Sequence, residues 1–374
     1  MSKIKTYVDV PFWFIRKTNT DIKYMQEIDK MSKYSNLDFL KSKEIKLVLE
    51  CNLEWIKGII SRIFKIKFKT KFYRYLSNKQ LKSIDADIVL SHGKLPINNL
   101  NIPTIWIYGV VDPIQRLKNN VTVKTIENEY KIIENLLPNV SGLILQTKKM
   151  QKRHQEHFPK FKDKIFYLPF FLSYLKFIDK EQLIKKHSND KIKLLFIGRE
   201  AYRKGLDILL ESYKEIQANY PNNIFELTIV TKDLKFKEKY LDIENVIWHN
   251  EINKQKVLEL MHEAQVFVMP SRFESYGLVY IEAMASGCVV IAPNNESQSE
   301  ILDDGACGIL IEPNTKDLIK AIEIVINKKL RSDLALKAIE KCKKEYSPEI
   351  VAKKHEEIFI EIYEKSNKKI KSFQ

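Results

Sequence analysis

The chain alternates short apolar runs with amphipathic stretches along most of its length, and no other feature constrains its fold as strongly. A run of about five apolar residues between polar turns reads as a strand buried on both faces, and the helical periodicity that follows supplies its cover. Repeated along a chain, this unit builds parallel sheets wrapped by helices. The predicted strands are 5–10, 45–50, 87–91, 104–108, 142–146 and 165–168, then 193–197, 225–231, 246–249, 266–269, 289–292 and 308–311. That division, over 374 residues, predicts two α/β domains rather than one large sheet. The seam falls in 171–191, FLSYLKFIDKEQLIKKHSNDK, which is charged and poor in strand character. The expected divisions are a first domain over 1–175, a second over 176–346, and a last helix over 347–374. Ser347-Pro348 opens that helix as a cap residue followed by proline at the first helical position. Its apolar residues Ile350, Val351, Ile358, Ile360 and Ile362 need a surface to pack on, and the region between the domains is one candidate.

Several classes are excluded. No apolar run approaches the roughly 18 residues that span a bilayer. The start, MSKIKTYVDVPFWFIRK, lacks the apolar core and small-residue cleavage site of a secretory signal, so a cytoplasmic location is expected. Cys51, Cys288, Cys307 and Cys342 form no CxxC pair and read as reduced structural thiols. His154 and His157, the only close histidines, have no thiol beside them, so no metal site is expected.

Sixty-three Lys and Arg against 48 Asp and Glu give a net charge of +15, which favours anionic partners. Between 56 and 84 the chain carries nine basic residues and no acid. Within 56–76, Ile56, Ile60, Phe64, Phe68 and Phe72 recur at steps of four, flanked by Lys57, Lys65 and Lys69. As a helix this segment suits an acidic membrane surface. The alternation in FKIKFKTKF equally fits a strand with a solvated lysine face. Basic residues interleaved with aromatics also bind single-stranded nucleic acid, but no recognised module accompanies them, and no nucleic-acid partner is expected.

Two segments carry the chemistry. In LLFIGREAYRKGLDILLESYKEI, residues 194–216, an apolar strand ends at Gly198 and an amphipathic helix begins after Gly205. Arg199 and Lys204 lie on the loop between them, where the crevice of a parallel sheet opens. Two such cations can clamp a diphosphate, or simply flank a helix start. In VFVMPSRFESYGLVYIEAMASGCVVIAP, residues 266–293, a strand leads to a loop with Glu274, then to a helix starting near Leu278 and stopping at Ser286-Gly287. Gly277 and Leu278 would offer amides to an anion. Glu274 and Glu282 have acceptors only, which suit paired sugar hydroxyls; taken singly, they also read as an ordinary loop acid and a charge favourable to the helix start.

GREAYRKG and PSRFESYGLVYIEAMASGCVVIAP resemble the two signature regions of the retaining glycosyltransferases of family 4, also called glycosyl transferases group 1. The spacing from Glu274 to Glu282 matches that family's E-x7-E motif, and DDGACGILIEP resembles its downstream segment. The resemblance covers about 85–365 and is strongest over 190–320. It implies an α/β fold of the GT-B type: two Rossmann-like domains with parallel sheets facing across a cleft, and a C-terminal helix crossing back to the first. The second domain would bind a nucleotide-sugar donor, with Gly198 and the amides at Gly277 and Leu278 close to it. Arg199 and Lys204 would hold the diphosphate, Glu274 the transferred sugar and Glu282 the ribose. His92, in SHG after a strand, is a candidate cleft contact. No metal or other cofactor is implied, because cations and a helix dipole stabilise the leaving group.

The expected activity is retaining, hexosyltransferase-type transfer to a glycan or lipid-linked acceptor in the synthesis of a cell-surface polysaccharide or glycolipid. Residues 56–76 would dock peripherally on the inner face of the membrane. A small soluble acceptor, and a nucleotide-sugar-binding protein without turnover, stay open as alternatives. The pattern departs from the family at Tyr108-Gly109, where many relatives carry histidine, and at Thr231-Lys232 and Asn250, where glycine is common.

Overall fold

The computed structural model describes residues 4–9, 27, 30–40, 87–92, 102–108, 123–220 and 224–371. The basic segment 56–76, the predicted strand 45–50 and Cys51 lie outside these residues. The chain forms two units, Met1–Ser173 with Pro348–Gln374, and Tyr174–Ser347.

The first unit holds β1 (Ile4–Asp9), β2 (Leu37–Leu40), β3 (Ile88–His92), β4 (Thr104–Ile107), β5 (Gly142–Leu145) and β6 (Ile165–Tyr167). They pair in parallel, in the order β2-β1-β3-β4-β5-β6. All four residues of β4 are buried, as expected of a strand covered on both faces. Trp106 enters one core layer with Leu143 and with Ile126 and Tyr130 of α1 (Val123–Leu136). Ile105 and Ile107 enter the opposite layer, with Ile88 and Leu90. The short helix α2 (Lys148–His157) starts where the Thr147 hydroxyl accepts the Met150 amide, at 3.0 Å. Strand β2 has no counterpart among the predicted strands: LDFL is four residues long with an acid in its middle, too short for a period to register.

The second unit holds α3 (Lys180–Ser188), β7 (Ile192–Ile197), α4 (Leu206–Asn219), β8 (Phe225–Val230), α5 (Leu234–Lys239), β9 (Val246–His249), α6 (Lys254–Glu263), β10 (Val266–Val268), α7 (Leu278–Ala285), β11 (Val289–Pro293), α8 (Glu296–Ile301), β12 (Ile309–Ile311), α9 (Thr315–Ile324) and α10 (Lys328–Tyr346). Its sheet is parallel, in the order β12-β11-β10-β7-β8-β9. The chain winds outward from β7 to β9, returns to the centre at β10 and winds the other way. Neighbours β7 and β10 are therefore the topological switch point, where loops leaving the carboxyl ends diverge and open a crevice. The loops that follow these two strands are the two segments singled out in the sequence.

Helix α11 (Pro348–Lys371) belongs to the first unit. Ser347 before it is extended, with ψ 145°, as a residue preceding proline must be, and this separates α11 from α10. The buried stripe of α11 is Val351, Ala352, His355, Phe359 and Ile362. All but His355 join the core layer of Ile88, Leu90, Ile105 and Ile107. This corrects the expected stripe: Ile350 is exposed and Ile360 only half-buried, because burial follows a 3.6-residue repeat that runs through Ala352, His355 and Phe359 instead. Gly142 of β5 permits the close approach, since a Cβ there would stand 2.5 Å from Ile362 Cδ1. Cys288, Cys307 and Cys342 are free and buried.

Candidate functional site

The loop after β7 begins at Gly198, whose amide donates to the Val230 carbonyl at 2.9 Å and keeps it in the sheet. A Cβ on Gly198 would lie 2.9 Å from Lys204 Cγ, so glycine here lets the lysine stem lie across the strand end. The loop ends at Gly205, left-handed at φ 76°, where a Cβ would stand 2.8 Å from the Pro270 carbonyl carbon. Glycine is demanded by both backbone and space.

Several bonds lock this loop to the one after β10. The Arg272 amide donates to the Arg203 carbonyl at 3.0 Å, and Arg203 Nη1 donates to the Phe273 carbonyl at 2.8 Å. Arg272 grips Asp207 with both Nη atoms at 2.7 Å and donates to the Tyr202 carbonyl at 2.7 Å. The bidentate fork fixes direction as well as distance.

Within that frame Lys204 Nζ donates to Glu274 Oε2, and both side chains are nearly buried. Burial pulls the Lys204 pKa down, the Arg203 guanidinium pulls it further, and Glu200 opposes them. The Glu274 carboxylate in contact with Nζ is the counter-charge for the protonated lysine. Arg199 contrasts with this pair. It is more than half exposed, and its Nη2 lies 3.1 Å from Glu251 Oε1, while Lys232 Nζ holds Oε2 of the same carboxylate at 2.5 Å. A cavity of about 540 Å³ opens beside them, lined by Arg199, Tyr202, Arg203 and Lys232 among others.

Gly277 precedes α7 at φ 90°, with a Cβ position 2.6 Å from Tyr280 Cε2. Its need for glycine thus comes from backbone and packing before any ligand is considered. Tyr280 anchors the turn by donating to the Met269 carbonyl at 3.0 Å. Below it, Gln298 Nε2 donates to the Tyr276 carbonyl at 2.8 Å. At the amino end of α7 the Tyr280 amide already donates to the Gly277 carbonyl at 3.0 Å, and the Leu278 and Val279 amides lie at the positive end of the helix dipole. Glu282, one turn in, is buried. Its Oε1 accepts the Tyr174 hydroxyl at 2.5 Å and pairs with Lys254 Nζ at 2.5 Å, and Lys254 sits 4.6 Å from the Tyr174 ring centre.

Lys204 and Glu274 are therefore in direct contact, whereas Arg199 and Glu282 each have a different partner. His92 ends β3 in the first unit, where the order β2-β1-β3 makes another switch point. The sequence pattern does not single out Glu251, Lys254 or Tyr174, and it marks Lys232 only as a residue standing where glycine is common. The asparagine cap at Asn253 marks where Lys254 starts a helix, but nothing local marks its pairing with Glu282. Among the described residues no group of three His, Cys, Asp or Glu side chains is gathered as a metal ion requires. No described helix is long and apolar enough to cross a membrane.

Comparison with known proteins matches residues 178–345 to the family "Glycosyl transferases group 1". A Klebsiella pneumoniae "uncharacterized 41.2 kDa protein in cps region" is 33% identical over 136 residues, 36% of either chain. The alpha-monoglucosyldiacylglycerol synthase of Acholeplasma laidlawii is 27% identical over 191 residues, 49% of this chain and 46% of that one. These matches thus span less than half the length of either relative. Among solved structures, WaaG, a glycosyltransferase involved in lipopolysaccharide biosynthesis, aligns with TM-score 0.62 at 17% identity, over 95% of this chain and 99% of that one. This likeness establishes a GT-B-like fold.

Proposed function

We propose, from the match of residues 178–345 to the glycosyl transferases group 1 family, that the protein is a retaining glycosyltransferase acting on a nucleotide-diphosphate sugar. The observation that carries the reading is the junction of two cross-braced loops at the β7/β10 switch point, which bears Lys204, Glu274 and the amino end of α7.

Breaking the bond between sugar and diphosphate leaves negative charge on the departing phosphate. Arg199, Lys204 and the first amides of α7 stabilise that charge from positions fixed before the reaction. Glu274 takes the hydroxyls of the transferred sugar and Glu282 those of the ribose. The acceptor attacks on the leaving-group face and the departing phosphate takes its proton, so no protein nucleophile is assigned. The acceptor in this reading is a glycan or a lipid-linked molecule. Support comes from two relatives, one named as an alpha-monoglucosyldiacylglycerol synthase and one as a protein in a cps region. The basic segment 56–76 would then hold the enzyme on an acidic membrane surface.

The test is a thermal-shift series with UDP, GDP, ADP, CMP and their sugar conjugates, with and without EDTA. A ligand that binds the folded state raises the melting temperature by mass action. A rise with one nucleoside diphosphate, unchanged by EDTA, supports the reading and names the base. No rise with any of them overturns the donor site.

A further inference from the structure

Arg199, Lys204, Glu274 and Glu282 all stand in ion pairs, and these pairs differ in kind. Lys204 with Glu274, and Glu282 with Lys254, each contain a buried member whose separation would strand a charge. Glu251 is different. It leaves the carboxyl end of β9, is about half exposed, and spans two half-exposed cations: Arg199 from the loop after β7 and Lys232 from the loop after β8. Three consecutive strand ends of one sheet, in the order β7-β8-β9, thus meet through a single carboxylate. Arg199 and Lys232 also line the 540 Å³ cavity at these strand ends.

We propose that Glu251 is a positioning residue, a built-in counter-anion that holds Arg199 and Lys232 beside the cavity until the diphosphate of the donor takes its place. The inference rests on the donor-site reading above. A carboxylate and a phosphate offer a guanidinium the same planar pair of acceptors, so Arg199 exchanges one for the other without losing its charge-assisted bonds. Both partners of Glu251 are solvated, so breaking the contact strands no charge in the interior, and the exchange is cheap. Without Glu251 the two cations would repel each other and lose the orientation it imposes. With it they stay ordered, and product release is assisted by a carboxylate that reclaims them. Glu251 therefore weakens the grip on a nucleoside diphosphate and hastens its departure.

The experiment compares the full chain with its Glu251→Gln and Lys232→Gln variants. Calorimetric titration uses the nucleoside diphosphate selected by thermal shift, the matching nucleoside, and two salt concentrations. Glu251→Gln removes the competing charge and keeps the side-chain volume. It is expected to tighten the diphosphate about threefold to tenfold at low salt, with a steeper loss as salt rises, and to leave the nucleoside unchanged. In turnover it is expected to lower KM and kcat together, because release slows. Lys232→Gln removes one of the two cations beside the cavity and is expected to weaken the diphosphate by a similar factor. Unchanged or weaker diphosphate binding in Glu251→Gln, with the wild type binding normally, overturns the role of Glu251 alone. Tightening of diphosphate and nucleoside alike also overturns it, since the effect would not be phosphate-borne. Absence of nucleotide binding by wild type and variants overturns the donor site, and this role with it.

Discussion

Lys204 and Glu274, 70 positions apart, meet where the loops after β7 and β10 converge, and each is the other's nearest opposite charge in a nearly buried setting. The pair couples stability to binding. Lys204→Ala leaves Glu274 inside without its cation, which costs up to about 3 kcal/mol. The double variant Lys204→Ala/Glu274→Gln removes the stranded charge and recovers much of that loss in a urea titration. Binding of the nucleoside diphosphate stays at least about tenfold weaker in both variants, about 1.4 kcal/mol. Recovery of binding along with stability would exclude Lys204 from the phosphate site.

Glu282→Ala is expected to weaken the same ligand at least about tenfold. A 2′,3′-dideoxy analogue, which lacks the hydroxyls a carboxylate accepts, should bind wild type and variant alike. A full tenfold difference with the analogue would separate Glu282 from the ribose.

Gly205→Ala places a side chain at φ 76° against the Pro270 carbonyl. The left-handed conformation alone costs about 1 kcal/mol, and the clash must be relieved by parting the two loops. A loss of at least about 2 kcal/mol in chemical denaturation is expected, with loss of nucleotide binding in the fraction that stays folded. The same substitution at Gly305, also left-handed but with nothing nearer than 4.0 Å, is expected to cost only the backbone term.

His355 and His187 are buried and neutral. Burial lowers both from 6.5 to about 4, against an opposing hydrogen bond with the carbonyl of Val351 or Gly287. The unfolded chain holds these protons more tightly than the folded one, so unfolding takes up protons as the solution acidifies. Their contribution is complete above about pH 6.5 and is lost as the pH falls toward 4, by up to about 3 kcal/mol for each histidine. His355→Leu should flatten the stability profile between those limits, as read by urea midpoints at pH 7 and 4.5. An unaltered slope would mean that His355 does not titrate on unfolding.

Gly142→Ala brings a methyl against Ile362 Cδ1, the tip of a flexible side chain. A cost of about 1–2 kcal/mol is expected, through displacement of α11. Ile362→Val makes room for that methyl, so the double variant should be more stable than the two single losses predict. Strict additivity would show that the contact does not hold α11 in place.

Much of the fold was legible because buried parallel strands are written locally. VFV before β10's loop and VVIAP at β11 are apolar throughout, and helix stops such as Ser286-Gly287 carry their own backbone requirement. β2 escaped because four residues with a central acid make a strand only when β1 offers a register for them. In α11 the apolar residues were visible, but the true stripe includes His355 and omits Ile350, a choice made by the sheet beneath.

The sequence by itself determined the two-sheet α/β architecture and put Arg199, Lys204, Glu274, Gly277 and Glu282 on the loops and helix start where ligands meet such sheets, since strand ends, glycines and helix starts are local properties. Only the tertiary structure decided which charge answers which. Arg199 finds Glu251 52 positions away, Lys204 finds Glu274 at 70, and Glu282 finds Tyr174 at 108. Those pairings follow from the order in which β7, β8, β9 and β10 lie side by side, and electrostatic energy depends on distance in space, which sequence spacing does not record.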